Sequence, residues 1–188
     1  VRVTVDMDQG LRPIYNLVAS LRGSMAPERV VLFGTHHDAW TFGGVDPGTG
    51  ATALLEVAKG LGQLARNGWR PARTISFAFW DAEEFGLVGS TEYAEDFKEQ
   101  LREQLIMYVN IDMYMKGRFD PGGVPSLSAF VTDVAKRPSS SSRAWPREVR
   151  VSSSSSTPST RARMNFFASC SGVTGVRCAA RAVFTAWA

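Results

Sequence analysis

Five side chains in this 188-residue chain could together carry out hydrolytic chemistry: His36, Asp46, Glu83, Glu84 and Asp112. Each sits at or near the end of an apolar, strand-like run. His36 closes VVLFGTH, and Asp46 lies in the Gly-rich loop behind it. Glu83 and Glu84 follow TISFAFWDA, and Asp112 closes IMYVNID. An imidazole and carboxylates at the C-terminal edges of neighbouring strands meet in one pocket of an α/β sheet. Nitrogen and oxygen ligands plus one unligated glutamate are what a hydrolytic zinc site requires.

Each residue also has a plainer reading. A neutral His36 is a good zinc ligand, and Asp38, two residues on, can accept from its other ring nitrogen and fix the tautomer. The same pair reads equally as a loop histidine beside a solvated aspartate. Asp46, among Gly43, Gly44, Pro47 and Gly48, is either a metal-bridging carboxylate or an Asx-turn residue. Glu83 and Glu84 are adjacent acids after a buried strand, and they repel unless a cation compensates them. One could ligate while the other serves as general base. Alternatively, they open a helix whose dipole favours acids. Asp112 is a ligand at a strand end or the cap of the next turn. There is no HExxH, no phosphate-binding glycine loop and no nucleophile elbow to compete with these groups.

The elements that must position them follow from periodicity. VRVTV alternates apolar and polar residues as an exposed or edge strand does, and Ile14 to Leu21 is β-rich. Val30–His36 is continuously apolar, which suits a strand buried on both faces. From Thr52 to Ala65 the apolar residues recur at helical spacing, with Gly68 just beyond. Thr74–Trp80 is a second buried strand, Gly89–Leu101 a helix with a charged outer face, and Leu105–Asp112 a third strand. Residues 121–137 read as a loop and a short helix. Strand, helix, strand, helix, strand implies an α/β fold with a mostly parallel sheet and right-handed crossovers.

Composition divides the chain. Residues 138–188 hold seven Arg, no Lys and one acid, Glu148, so they carry +6 against −3 for residues 1–137. No basic motif interleaved with aromatics marks a nucleic-acid surface, so a nucleic-acid partner is not expected. No run of about 18 apolar residues forms a membrane span. Both cysteines, Cys170 and Cys178, lie after residue 138, so the body has no disulfide framework. Twelve of the last 51 residues are serine. That Ser/Arg-rich tail reads as disordered or as the product of a shifted reading frame.

The blocks HHDAWTFGGVDPGTG, FWDAEEFGLVGSTEYAE and YVNID resemble glutamate carboxypeptidase II and its relatives, the two-zinc, aminopeptidase-like metallopeptidases. The resemblance covers residues 1 to about 137 and implies part of that family's three-layer catalytic domain, followed by a non-family tail. It also implies an exopeptidase acting on a peptide substrate. His36 and Asp112 would hold one zinc, Asp46 would bridge, Glu84 would hold the second zinc, and Glu83 would be the general base. Glu92 and Glu95 match a pair that helps to bind calcium. The parent protein would be a homodimer working outside the cytoplasm or as a membrane-associated ectodomain.

Two departures accompany the resemblance. The second zinc of the family takes a histidine far downstream, whereas this chain has only His36 and His37. The helical C-terminal domain has no counterpart. A weakly active or inactive catalytic fragment is the expectation. A transferrin-receptor-like binding protein and a single-zinc glutaminyl cyclase-like enzyme are the alternatives. A frame shift would account for the missing ligand: codons permitted for Ala182 to Trp187, read in another frame, allow Gly-Phe-His-Ser-Met. Resequencing the nucleotides for residues 130–188 tests this.

Overall fold

The computed structural model describes residues 1–8, 10–113, 122–136 and 152–153. It divides into two compact units, whose described residues are those up to 113 and those from 122 onward. In the first unit the order is β1 (Leu17–Leu21), β2 (Ala26–His36), α1 (Gly48–Arg66), β3 (Arg73–Trp80), α2 (Val88–Asp96), α3 (Lys98–Gln104) and β4 (Leu105–Asn110). The second unit holds α4 (Ser128–Lys136), preceded by a 3-10 turn at Pro125–Leu127. It also holds two residue pairs, β5 (Gly122–Gly123) and β6 (Ser152–Ser153), that lie parallel. The Ser/Arg-rich tail otherwise lies outside the described residues.

The four strands of the first unit pair in the order β1-β3-β2-β4. β2 runs parallel to both neighbours, with His36 beside Trp80 of β3 and Gly34 beside Asn110 of β4. β1 is antiparallel to β3. The chain leaves β2 for β3 on one side, then returns past β2 to β4 on the other. Right-handed crossovers in opposite directions put α1 on one face of the sheet and α2 and α3 on the other. They also open a crevice at the carboxyl ends of β2 and β4, where the connection changes direction.

Side-chain alternation divides the packing. Leu32, Ala78 and Trp80 join Tyr93, Ala94, Leu101 and Leu105 in a buried cluster beneath α2 and α3. Phe33 and Phe77 stack 6.0 Å apart on the opposite face. The central strand expected at Val30–His36 is present, and it begins earlier, at Ala26, with a register break before Val30.

Several expectations need correction. VRVTV forms no strand among the described residues: Val1, Val3 and Val5 are all exposed and pair with nothing that would give them a register. The single helix expected over 89–101 is two helices. Phe97, at φ −109°, leaves the helical region and packs its ring 4.1 Å from Tyr93, so core burial outweighs helical continuity. α1 starts at Gly48, about a turn before Thr52. β4 stops at Asn110, two residues short of Asp112, although Ile111 N–H still donates to the Gly34 carbonyl at 2.9 Å.

Candidate metal centre

His36, the last residue of β2, is 2% exposed. Its Nε2 lies 2.9 Å from Oδ1 of Asp112 and 3.0 Å from Oδ1 of Asp46. Asp112 arrives from just beyond β4, and Asp46 from the loop between β2 and α1. The approach of Asp112 depends on Gly50: a Cβ there would strike the carbonyls of Ile111 and Asp112. α1 begins two residues after Asp46, at Gly48.

One ring nitrogen cannot bond well to two carboxylates, since it has a single in-plane direction for a proton or a metal. Consistent with this, Asp46 Oδ1 is buried without a hydrogen-bond partner, and so is Nδ1 of His36. The three ligand atoms of His36, Asp46 and Asp112 lie within 4.8 Å of one another. Two ligands of one zinc ion, each at about 2 Å, are at most about 4 Å apart. With His36 Nε2 only 2.9 and 3.0 Å from the two oxygens, the group is compact enough to close around a cation, and its hard oxygen and nitrogen donors suit zinc.

The electrostatics also favour a cation. Glu83 Oε2 stands 3.8 Å from Nδ1 of His36, and Asp38 Oδ1 stands 3.4 Å from it. Burial by itself lowers the His36 pKa. The hydrogen bond to Asp112 and the charges of Glu83, Asp112 and Asp38 together outweigh it and raise the pKa above 6.5. Burial lifts the Glu83 pKa above its ordinary 4.5. His36 opposes that shift, while Asp112, Glu84 and Asp38 add to it.

Asp38 makes its hydrogen bonds to the neighbouring loop. Its oxygens accept the backbone N–H groups of Glu83 at 3.0 Å and Glu84 at 3.1 Å. Those two charge-assisted bonds orient the carboxylate, so it neighbours the ring nitrogen without a hydrogen bond to it. Glu84 accepts from the Trp40 N–H at 3.3 Å and belongs to no three-ligand group among the described residues. Glu92 and Glu95 lie one turn apart on α2 and likewise join no such group. His37 turns its Nε2 to the Tyr15 carbonyl, 2.9 Å away.

Sequence reasoning missed three features here. Trp40 and Phe85 form an exposed aromatic pair, with ring centroids 5.1 Å apart, directly beside Glu84. Asn16 and Asp81 brace the loop that carries the glutamates. The available signal for Asn16 was a lone amide inside the apolar run IYNLVASL, where a buried polar group needs partners.

Residues 16–150 match the profile of peptidase family M28. The chain belongs to that family. Metallopeptidases of family M28 are in general zinc-dependent, in keeping with the His36–Asp46–Asp112 group. The M28 match spans every residue of the centre and ends inside the Ser/Arg-rich stretch. Among curated proteins, the chain is 40% identical over 137 residues to the probable glutamate carboxypeptidase AMP1 of Arabidopsis thaliana, covering 72% of this chain and 19% of that protein. It is 39% identical over 139 residues to aminopeptidase NAALADL1 of Mus musculus, with 72% and 19% covered. The crystal structure of a peptidase M28 precursor from Shewanella amazonensis SB2B superposes with a TM-score of 0.51 at 25% identity. That match covers 64% of this chain and 27% of the other. This M28 chain thus spans about a fifth of the length of the curated relatives it matches.

Proposed function

We propose that this chain is the metal-binding part of a zinc-dependent exopeptidase, with Glu83 as the general base. The observation that carries the reading is the convergence of Asp46 and Asp112 on one nitrogen of His36, with the Glu83 carboxylate 3.8 Å from the same ring. His36, Asp46 and Asp112 would hold one zinc ion, and Asp46 and Glu84 would offer oxygens to a second. When bound, zinc supplies a Lewis acid for the scissile carbonyl and acidifies the attacking water.

The chain's own residues do the remaining work. Glu83 takes a proton from the attacking water and delivers it to the leaving amine, and its raised pKa suits a group that must both accept and donate. Asp38 holds the backbone of Glu83 and Glu84 toward the centre. His37 is directed to the Tyr15 carbonyl, so no further imidazole among the described residues is available to complete a second position. We therefore expect at most one zinc per chain, weakly held, and little or no turnover from this chain by itself.

Metal titration by calorimetry tests the reading, with His36→Ala as control. A stoichiometry near one that His36→Ala abolishes supports it. A wild-type chain that takes up no zinc, or binds it equally without His36, sinks it.

A further inference from the structure

The loop between β3 and α2, residues 81–87, carries Glu83 and Glu84; backbone bonds from Gly86 and Leu87 N–H to the Glu83 carbonyl and from Val88 N–H to the Ala82 carbonyl turn it, and side chains hold its first half. Its four successive N–H groups at Asp81, Ala82, Glu83 and Glu84 all end on side-chain oxygens. Asp81 N–H donates to Asn16 Oδ1 at 3.0 Å, and Ala82 N–H to Asp81 Oδ1 at 2.8 Å. Glu83 and Glu84 N–H donate to the two oxygens of Asp38. The loop includes Ala82 at φ 53° and Leu87 at φ 61°, a backbone region that side-chain-bearing residues rarely adopt. Such a conformation persists only where its surroundings over-determine it.

Asn16 sits at the neck of this loop and is 2% exposed. Its Oδ1 takes the Asp81 N–H, and its Nδ2 donates to the Gly89 carbonyl at 2.8 Å. One amide thus grips both ends of the loop, alongside the backbone bond from Gly89 N–H to the Asp81 carbonyl at 3.0 Å. Gly89 leaves the room: a Cβ there would meet Asn16 Oδ1 and the Asp81 carbonyl. The Asp81 carboxylate also takes the Tyr15 N–H at 2.7 Å, tying the loop to the residue before Asn16. Only a side chain of this length with a donor and an acceptor at the same end can make both contacts.

We propose that Asn16, acting with Asp81, is a positioning residue that fixes the backbone of Glu83 and Glu84 beside His36. The role assigned to the two glutamates rests on the function proposed above; the clasp itself rests on these hydrogen bonds. The ligands His36, Asp46 and Asp112 lie outside the clasped loop, so loosening the clasp frees the glutamates and leaves that metal position in place.

Hydrogen exchange followed by mass spectrometry on the full chain tests the clasp. In Asn16→Ala, peptides covering residues 81–89 should exchange at least tenfold faster (order of magnitude), while those covering β2 stay within about twofold and zinc affinity within about threefold. Asn16→Asp keeps the acceptor for Asp81 N–H and loses the donor to Gly89. It should loosen the Val88–Gly89 side and spare the Asp81–Ala82 side, a split that general destabilisation would not give. It also serves if Asn16→Ala does not fold. Unchanged loop exchange, or equal acceleration across the loop and β2, overturns the proposal. A wild-type chain that binds no zinc would sink the metal reading and leave this result standing.

Discussion

A buried imidazole surrounded by four carboxylates is an unstable arrangement unless it carries a proton or meets a metal. Without metal, His36 takes the proton, and its pKa and that of Glu83 are both raised. A group whose folded pKa exceeds its unfolded one contributes stability that is fully present below the unfolded pKa and is lost as pH rises through the folded one. The loss begins above 4.5 for Glu83 and above 6.5 for His36. In chelator, the chain should therefore melt lower at about pH 8 than at about pH 6, and His36→Ala should flatten that slope. Added zinc needs the neutral imidazole, so it should stabilise more as pH rises. Thermal melts at several pH values, with chelator and with zinc, check both signs. Glu83→Gln tests the base separately from the ligands. Zinc affinity should change little, while any measurable peptide turnover should fall about a hundredfold to ten-thousandfold, the range for losing a general acid–base group. Where the wild-type chain turns over peptide, equal turnover in Glu83→Gln would remove Glu83 from that role.

At the scale of elements, the strand ends decide what the sequence could reveal. His36 and Asp112 were legible because each ends an apolar run in a parallel sheet, and the crossover directions bring those ends together. Asp46 and Glu83 followed as the charged residues in the adjoining loops. Asn16, Asp81 and the true hydrogen bonds of Asp38 were not legible, because their partners are backbone N–H groups and carbonyls far away in the chain. Periodicity also could not show the break at Phe97, which is set by how its ring packs on Tyr93. The approach of α1 to the end of β4 yields a prediction at this scale. Gly50→Ala places a methyl against the Ile111 and Asp112 carbonyls, so α1 or the end of β4 must shift. We expect a loss of about 1–3 kcal/mol, as for other overpacked sites. Zinc affinity should fall as well, because Asp112 moves with its backbone. Denaturant unfolding and zinc titration of the same variant check the two effects, and full affinity in a destabilised variant would uncouple α1 from the centre.

For the molecule as a whole, the decisive quantity is apolar surface that the described residues leave uncovered. β1 is paired only through β3 and β4 only through β2, so both edges of the sheet lack a further strand among those residues. Leu17 and Val18 of β1 are exposed on opposite faces. Beside Val18 a hollow of about 300 Å³ is lined by polar Ser20, Arg22, Ser76 and Gln100 as well as by apolar side chains. The alternating valines of residues 1–5 are exposed as well. A long apolar edge invites pairing with another chain, and a charge on it blocks that pairing. The isolated chain should therefore self-associate at micromolar concentration, while Leu17→Lys, which puts a charge on the β1 edge, should shift it toward monomer. Sedimentation velocity across a concentration series measures this. A monodisperse wild-type monomer would mean that these faces are covered by the chain itself, and association unaffected by the lysine would move the contact away from β1.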